Sequence, residues 1–193
     1  MRMEDGTYRK KCVRYDQLGD VHFLTFHCFA NQPFFSGPRA PHWLLESLNT
    51  ARTRKPFDLL AFVIMPEHVH LLLAPHSGVP ISGVLVAIKQ PVARRAVAWV
   101  KKHRPDFLPR MLDLQPNGKR HYRFWERGGG YDRNVQNVEE VHEKMKYIHL
   151  NPVRRELVDL PEQWPWSSYR AWYEGIDEPI AIDRQSIPTR TPK

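Results

Sequence analysis

Two histidines one residue apart, His68 and His70, lie with Glu67 in a stretch from Leu59 to Leu73 that is otherwise apolar. On a strand, side chains two apart leave the same face, so the two imidazoles point together and can share one metal ion. The same spacing also suits a structural pair, hydrogen-bonded or half exposed. A second group lies far along the chain. Tyr147 and Asn151 are one helical turn apart, so a phenol and a carboxamide project in one direction. A tyrosine so placed also serves as a packing residue, and an asparagine before proline also serves as a plain helix stop. Taken as one site, the four describe phosphodiester cleavage. A hard divalent cation, Mg²⁺ or Mn²⁺, accepts two imidazole nitrogens, an amide oxygen and phosphate oxygens. It polarises the phosphate, and attack by the tyrosine hydroxyl gives a covalent phosphotyrosine. The ester conserves the bond energy, so a second 3′ hydroxyl can reseal the strand without ATP. Spacing alone does not bring the strand and the helix together.

The elements that must position these groups read as follows. Val21 to Phe29 is rich in β-formers and predicts a strand. Pro41 suits the first turn of a helix through Trp43, Leu44, Leu45 and Leu48. Leu59–Met65 and His68–Leu73 are apolar β-runs joined at Pro66-Glu67, a predicted hairpin. Residues 81–103 have helical character, with Pro91 expected to kink or split them. Residues 104–136 hold several prolines and the run Gly128-Gly129-Gly130, predicting a long loop with one short strand near His121–Trp125 and a flexible approach to the site. A helix follows, with Asn137 as cap, Glu139 and Glu140 in its first turn, and Asn151-Pro152 as its stop. Its apolar stripe is Val138, Val141, Met145 and Ile148. This order describes an α+β protein, a ferredoxin-like sandwich with helices on one face of an antiparallel sheet and an aromatic C-terminal tail. The division expected is a lead-in over 1–20, one domain over 21–158 and a tail over 159–193.

Composition narrows the partner. The chain has 193 residues, a formal charge of +8 and only two cysteines, Cys12 and Cys28, whose spacing matches neither a zinc clip nor a redox pair. Any metal site is therefore expected to use nitrogen and oxygen ligands. No apolar run is long enough for a membrane span, and no secretory signal is legible, so the expected location is cytoplasmic. Basic residues cluster at Arg9-Lys10-Lys11, residues 52–55, residues 101–104 and residues 119–123, the last with interleaved aromatics. Such surfaces attract polyanions, and mixed cations and rings suit unpaired bases.

The stretch Met65-Pro66-Glu67-His68-Val69-His70-Leu71-Leu72-Leu73 resembles the H-hydrophobe-H motif of single-tyrosine HUH transposases of the IS200-like superfamily. Tyr147-Ile148-His149-Leu150-Asn151-Pro152-Val153-Arg154-Arg155 resembles their nucleophile segment, nearest to the branch of REP-associated tyrosine transposases. Trp164-Pro165-Trp166-Ser167-Ser168-Tyr169 is similar to the tail of that branch. The resemblance implies a ferredoxin-like core and a 5′-phosphotyrosyl intermediate at Tyr147. It also implies metal ligation by His68, His70 and Asn151, and action on hairpin-bearing single-stranded DNA such as REP-like palindromes, with a monomer favoured over a dimer. Glu67 stands where the family often has Asn, and Glu156 where glycine often follows. Lys89, Arg123, Arg154 and Arg155 are candidate DNA contacts. The expected function is that of a metal-dependent single-stranded DNA endonuclease and strand transferase. The alternative is a catalytically silent DNA or RNA hairpin-binding protein of the same fold.

Overall fold

In the computed structural model, which describes residues 21–188, the chain begins with strand β1 (Val21–His27). The expected lead-in over 1–20, with Cys12 and the first basic cluster, lies outside the described residues. Next come helix α1 (Arg39–Arg54), strands β2 (Phe57–Ile64) and β3 (His68–Pro75), and helix α2 (Ile81–His103). A small hairpin of β4 (Leu112–Leu114) and β5 (Arg120–Tyr122) precedes β6 (Tyr131–Val135) and helix α3 (Val138–Arg154). A short helix α4 (Tyr169–Tyr173) lies in the tail.

The four-stranded sheet has the order β2-β3-β1-β6, and every neighbouring pair is antiparallel. With a helix after the first strand and another after the third, this is the ferredoxin-like arrangement expected. Its two faces do different work. Alternation along β1 sends Leu24 and Phe26 to one face and Phe23, Thr25 and His27 to the other. On the Phe26 side lie α1 and α2. Ser47 of α1 donates to the Ile88 carbonyl at 2.7 Å, and Trp125, whose ring meets Phe26 edge-on, donates to the Lys89 carbonyl at 2.8 Å. The buried stripe Val84, Leu85, Ile88, Val92, Ala96 and Val100 continues across Pro91, so α2 remains one helix rather than splitting. Each Val, Leu or Ile among them, fully buried, contributes about 1.5–3 kcal/mol, together enough to offset one backbone bond lost at proline. Helix α3 lies against the opposite face, the one that carries the histidines, so helices cover both faces of the sheet rather than the one expected.

Two further parts of the reading change. The polar run Tyr131–Val135, expected as loop, is the fourth strand, paired with β1 from Val21–Val135 to Thr25–Tyr131. The glycine run before it is a tight fit there: Gly130 has φ +79°, and a Cβ on it would lie 2.2 Å from the Thr25 carbonyl oxygen. Helix α3 also does not stop at Asn151-Pro152. Both residues are buried inside it, and it ends at Arg154. The end is a Schellman turn: Leu157 N–H donates to the Pro152 carbonyl at 3.0 Å, Glu156 N–H to Val153 at 2.9 Å, and Glu156 has φ +55°. That explains why glycine would suit position 156.

The tail runs along β2. Ile64 N–H donates to the Trp166 carbonyl and Trp164 Nε1 to the Ile64 carbonyl, while Leu59 N–H meets the Asp183 carboxylate at 2.7 Å. It covers what would otherwise be an open sheet edge, a template for unwanted pairing. Both tryptophans dock onto the core in this way. Among the described residues no helix is long and apolar enough to cross a membrane.

Candidate functional site

Strand β3 begins directly after the turn that carries Glu67, and His68 and His70 leave its face together, as alternation requires. Their Nε2 atoms are 3.1 Å apart. Each ring is held at its other nitrogen. His68 Nδ1 donates to Glu67 Oε1 at 3.0 Å, and His70 Nδ1 meets Thr25 Oγ1, from the neighbouring strand, at 2.7 Å. Partners of this kind orient imidazoles and turn the Nε2 atoms toward a common point. Phe23 stacks on His70 at 5.4 Å, and His27 lies 5.3 Å from the ring of His68.

Helix α3 supplies the other half. Asn137 caps it, accepting from Glu140 N–H at 2.8 Å, and Val141, Met145 and Ile148 bury its apolar stripe. That packing turns Tyr147 and Asn151 toward the histidines. Asn151 Nδ2 lies 3.1 Å from His70 Nε2, and its Oδ1 is buried with no partner. The ring of Tyr147 meets His70 edge-on at 5.3 Å and Phe23 at 5.9 Å. It remains 38% exposed and lines the cleft. These side chains line an open cleft of about 910 Å³, with Tyr131, Arg154 and Arg155 at its wall.

Burial lowers the pKa of both histidines. That of His70 falls to about 3, through desolvation and then the neighbouring His68 and His27. That of His68 falls for the same first reason, against the opposing pull of Glu67. Both rings are thus neutral near pH 7, the state in which imidazole donates a lone pair to a cation. Among the described residues no three His, Cys, Asp or Glu side chains cluster as a metal site. Asn151, whose buried Oδ1 has no partner, lies beside His70 as a neutral oxygen donor.

The structure thus brings together His68, His70, Tyr147 and Asn151. Of the candidate DNA contacts, Arg154 and Arg155 line the cleft. The Arg154 guanidinium sits 5.2 Å over the Tyr147 ring, and Arg155 pairs with Glu67 at 3.0 Å. Lys89 lies across the sheet, over Phe26 and Trp125, with its Nζ 3.3 Å from the Gly128 carbonyl. Arg123 is tied to Asp113, which Arg127 also contacts at 2.7 Å; the two guanidiniums hold that carboxyl well below its ordinary range. Neither Lys89 nor Arg123 lines the cleft. The stretch Phe23-Leu24-Thr25-Phe26 also resembles a strand feature of the HUH transposase family, but the sequence assigns no site role to Phe23, Thr25 or Tyr131. Only alternation on β1 could have pointed to Thr25, once β1 was known to pair with β3.

Fold and site define a class: a ferredoxin-like sheet presenting two adjacent neutral imidazoles, with a helix-borne tyrosine and amide beside them. The comparisons with known proteins are more particular. Over 117 residues the chain is 26% identical to a Haemophilus influenzae protein named "Putative REP-associated tyrosine transposase", a match covering 59% of this chain. The chain spans about 60% of the length of that relative. A solved structure of a REP-associated tyrosine transposase bound to a REP hairpin shares the fold, with a TM-score of 0.66 and 18% identity, over 96% of this chain and 100% of that one. No family model matches the chain. The resemblance to REP-associated tyrosine transposases carried by the sequence motifs is thus borne out in sequence and in fold.

Proposed function

We propose that this chain is a metal-dependent single-stranded DNA endonuclease and strand transferase, a transposase acting at hairpin-bearing DNA through a 5′-phosphotyrosyl intermediate on Tyr147. The observation that carries the reading is the convergence of Tyr147 and Asn151 with the two Nε2 atoms of His68 and His70 in one open cleft.

His68, His70 and Asn151 Oδ1 would hold a Mg²⁺ or Mn²⁺ ion. The donor set fits such an ion: two neutral imidazole nitrogens and a buried amide oxygen that lacks a partner. When bound, the ion polarises the scissile phosphate and offsets charge on the leaving oxygen. The rest falls to side chains of this chain. Phe23 and Arg154 hold the Tyr147 ring at the cleft wall, and its hydroxyl gives up its proton to solvent as the oxygen attacks phosphorus. The bond to the 3′ oxygen breaks as the bond to tyrosine forms, and the 3′ oxygen leaves as a hydroxyl once it takes a proton. Attack by a second 3′ hydroxyl reverses the step and frees Tyr147. Arg154 and Arg155 place positive charge where the phosphate must enter. Lys89 and Arg123 would reach DNA only where a longer substrate extends beyond the cleft.

The test is incubation of the full chain with labelled hairpin-bearing single strands and Mg²⁺ or Mn²⁺. We expect a protein–DNA adduct that survives denaturation, is absent in Tyr147→Phe and is lost in His68→Ala, with salt-sensitive DNA binding retained in both. Tight binding to hairpins with no adduct on any of them would refute the enzyme and leave a binding protein of the same fold.

A further inference from the structure

Tyr131, the first residue of β6, lines the cleft but takes no part in the chemistry above. The sheet register pairs Thr25 with His70 on one side and with Tyr131 on the other. Residues directly opposite one another on antiparallel strands share a face, so His70, Thr25 and Tyr131 form one row across three strands. Two strand spacings, about 10 Å, separate the ends of that row. Tyr131 is 51% exposed, so burial gives this large ring little. Among the described residues its one ring neighbour is Phe23, at 6.3 Å and 71°. An edge-to-face contact of that kind occupies at most one face of Tyr131 and leaves the other for a planar partner.

The ring also stands on a fixed mount. Gly130, just before it, packs so closely on the Thr25 carbonyl oxygen that no Cβ fits, and Tyr131 itself pairs with Thr25 in the ladder. Tyrosine has only two side-chain torsions to freeze, so a ring on such a backbone stacks at small entropic cost. Positive charge lies around the row. Lys144 Nζ is 5.2 Å over the Phe23 ring. Arg133, two residues along β6 and on the same face as Tyr131, remains half exposed although it pairs with Glu140 at 2.8 Å. A ring among cations suits an unpaired base, which stacks through its π-face while the cations meet neighbouring phosphates. We propose that Tyr131 is a base-stacking platform, holding the base of a nucleotide next to the phosphate that reaches His70 and Tyr147. The inference rests on the DNA reading above and adds a substrate subsite to it. A base inside a duplex has both faces covered, so the subsite selects unpaired DNA beside the hairpin. Stacking makes no demand on the base edges, so it accepts all four bases, and sequence choice falls to other contacts. Anchoring the neighbouring base holds the phosphate in reach of Tyr147.

The experiment measures binding of the full chain to a labelled oligothymidylate and to a base-free strand of equal length, by fluorescence anisotropy over a range of salt. Tyr131→Thr removes the ring and keeps a β-former in the strand. It should lower affinity for oligothymidylate about 5–150-fold, the worth of one stacked base, and leave affinity for the base-free strand unchanged. The slope of log affinity against log salt should also hold, since no charge is lost. Tyr131→Trp should restore binding. A strand carrying 5-iodouracil, which cross-links on irradiation to the ring it stacks on, should mark the peptide that contains Tyr131. The proposal is overturned if Tyr131→Thr binds oligothymidylate as the wild type does, or if the cross-link falls only on other residues. Equal weakening on both strands also overturns it, because the residue would then be structural. A wild type that binds neither strand instead defeats the DNA reading itself.

Discussion

Gly130 joins the fold to the site, because it brings β6 against the strand that presents Thr25. Replacing it with alanine meets two obstacles. Its φ of +79° lies in the left-handed region, where a Cβ costs roughly 1–2 kcal/mol. The new Cβ would also lie 2.2 Å from the Thr25 carbonyl oxygen and 3.1 Å from Phe26, both in the central strand β1. Backbone cannot yield as a flexible side chain can, and overpacking of this kind adds about 1–3 kcal/mol. Gly130→Ala is therefore expected to destabilise by about 2–5 kcal/mol. Gly128 supplies the internal control: its φ is +87°, but a Cβ there meets nothing within 4 Å. Gly128→Ala should show only the conformational part, about 1–2 kcal/mol. Equilibrium urea unfolding of the wild type and both variants measures the difference. Equal losses in the two variants would refute the close approach of β6 to β1, and with it the reason for a glycine before β6.

Two further outcomes follow from the structure. Glu156→Gly relieves a left-handed residue at the end of α3 and should stabilise by about 0.5–1 kcal/mol, since the flexibility glycine adds to the unfolded chain offsets part of the gain; thermal unfolding reads it as a higher Tm, and a lower one would contradict the Schellman turn. His149 is buried, bonds Ser168 Oγ at 2.9 Å and has its pKa lowered by desolvation from 6.5 to about 4. A depressed pKa means that the unfolded chain binds the proton first. Stability present above pH 6.5 is then lost as pH falls toward 4, by on the order of 3 kcal/mol for this group. Urea unfolding at neutral and acidic pH should show a shallower acid loss in His149→Gln than in the wild type, and an equal slope would contradict a buried neutral ring.

Much of this architecture is written locally. The β-run at Val21, the hairpin around Pro66-Glu67 and the Asn137 cap are features of neighbouring residues, and each appears where its residues predict it. Alternation pairs His68 with His70, and the helical turn pairs Tyr147 with Asn151, because both periodicities are properties of the backbone. The misses share a cause. Tyr131–Val135 is polar and lacks clean alternation, yet it is a strand because β1 offers it backbone partners. Asn151-Pro152 looks like a stop, yet the helix continues because burial of Pro152, with Ile148 one turn earlier, offsets the bond that proline cannot make. Arg123 and Lys89 stand outside the cleft, beside Asp113 and the Gly128 carbonyl, a placement that only the tertiary structure gives.

The sequence by itself determined the chemistry available: two imidazoles on one strand face, and a phenol with an amide on one helix face. Only the tertiary structure decided that the two faces meet. Helix α3 carries its apolar stripe onto the sheet face opposite α1 and α2, and that packing sets Asn151 against His70. Tertiary pairing of β1 with β3 likewise put Thr25 beside His70, a contact between residues distant in sequence that no local periodicity encodes.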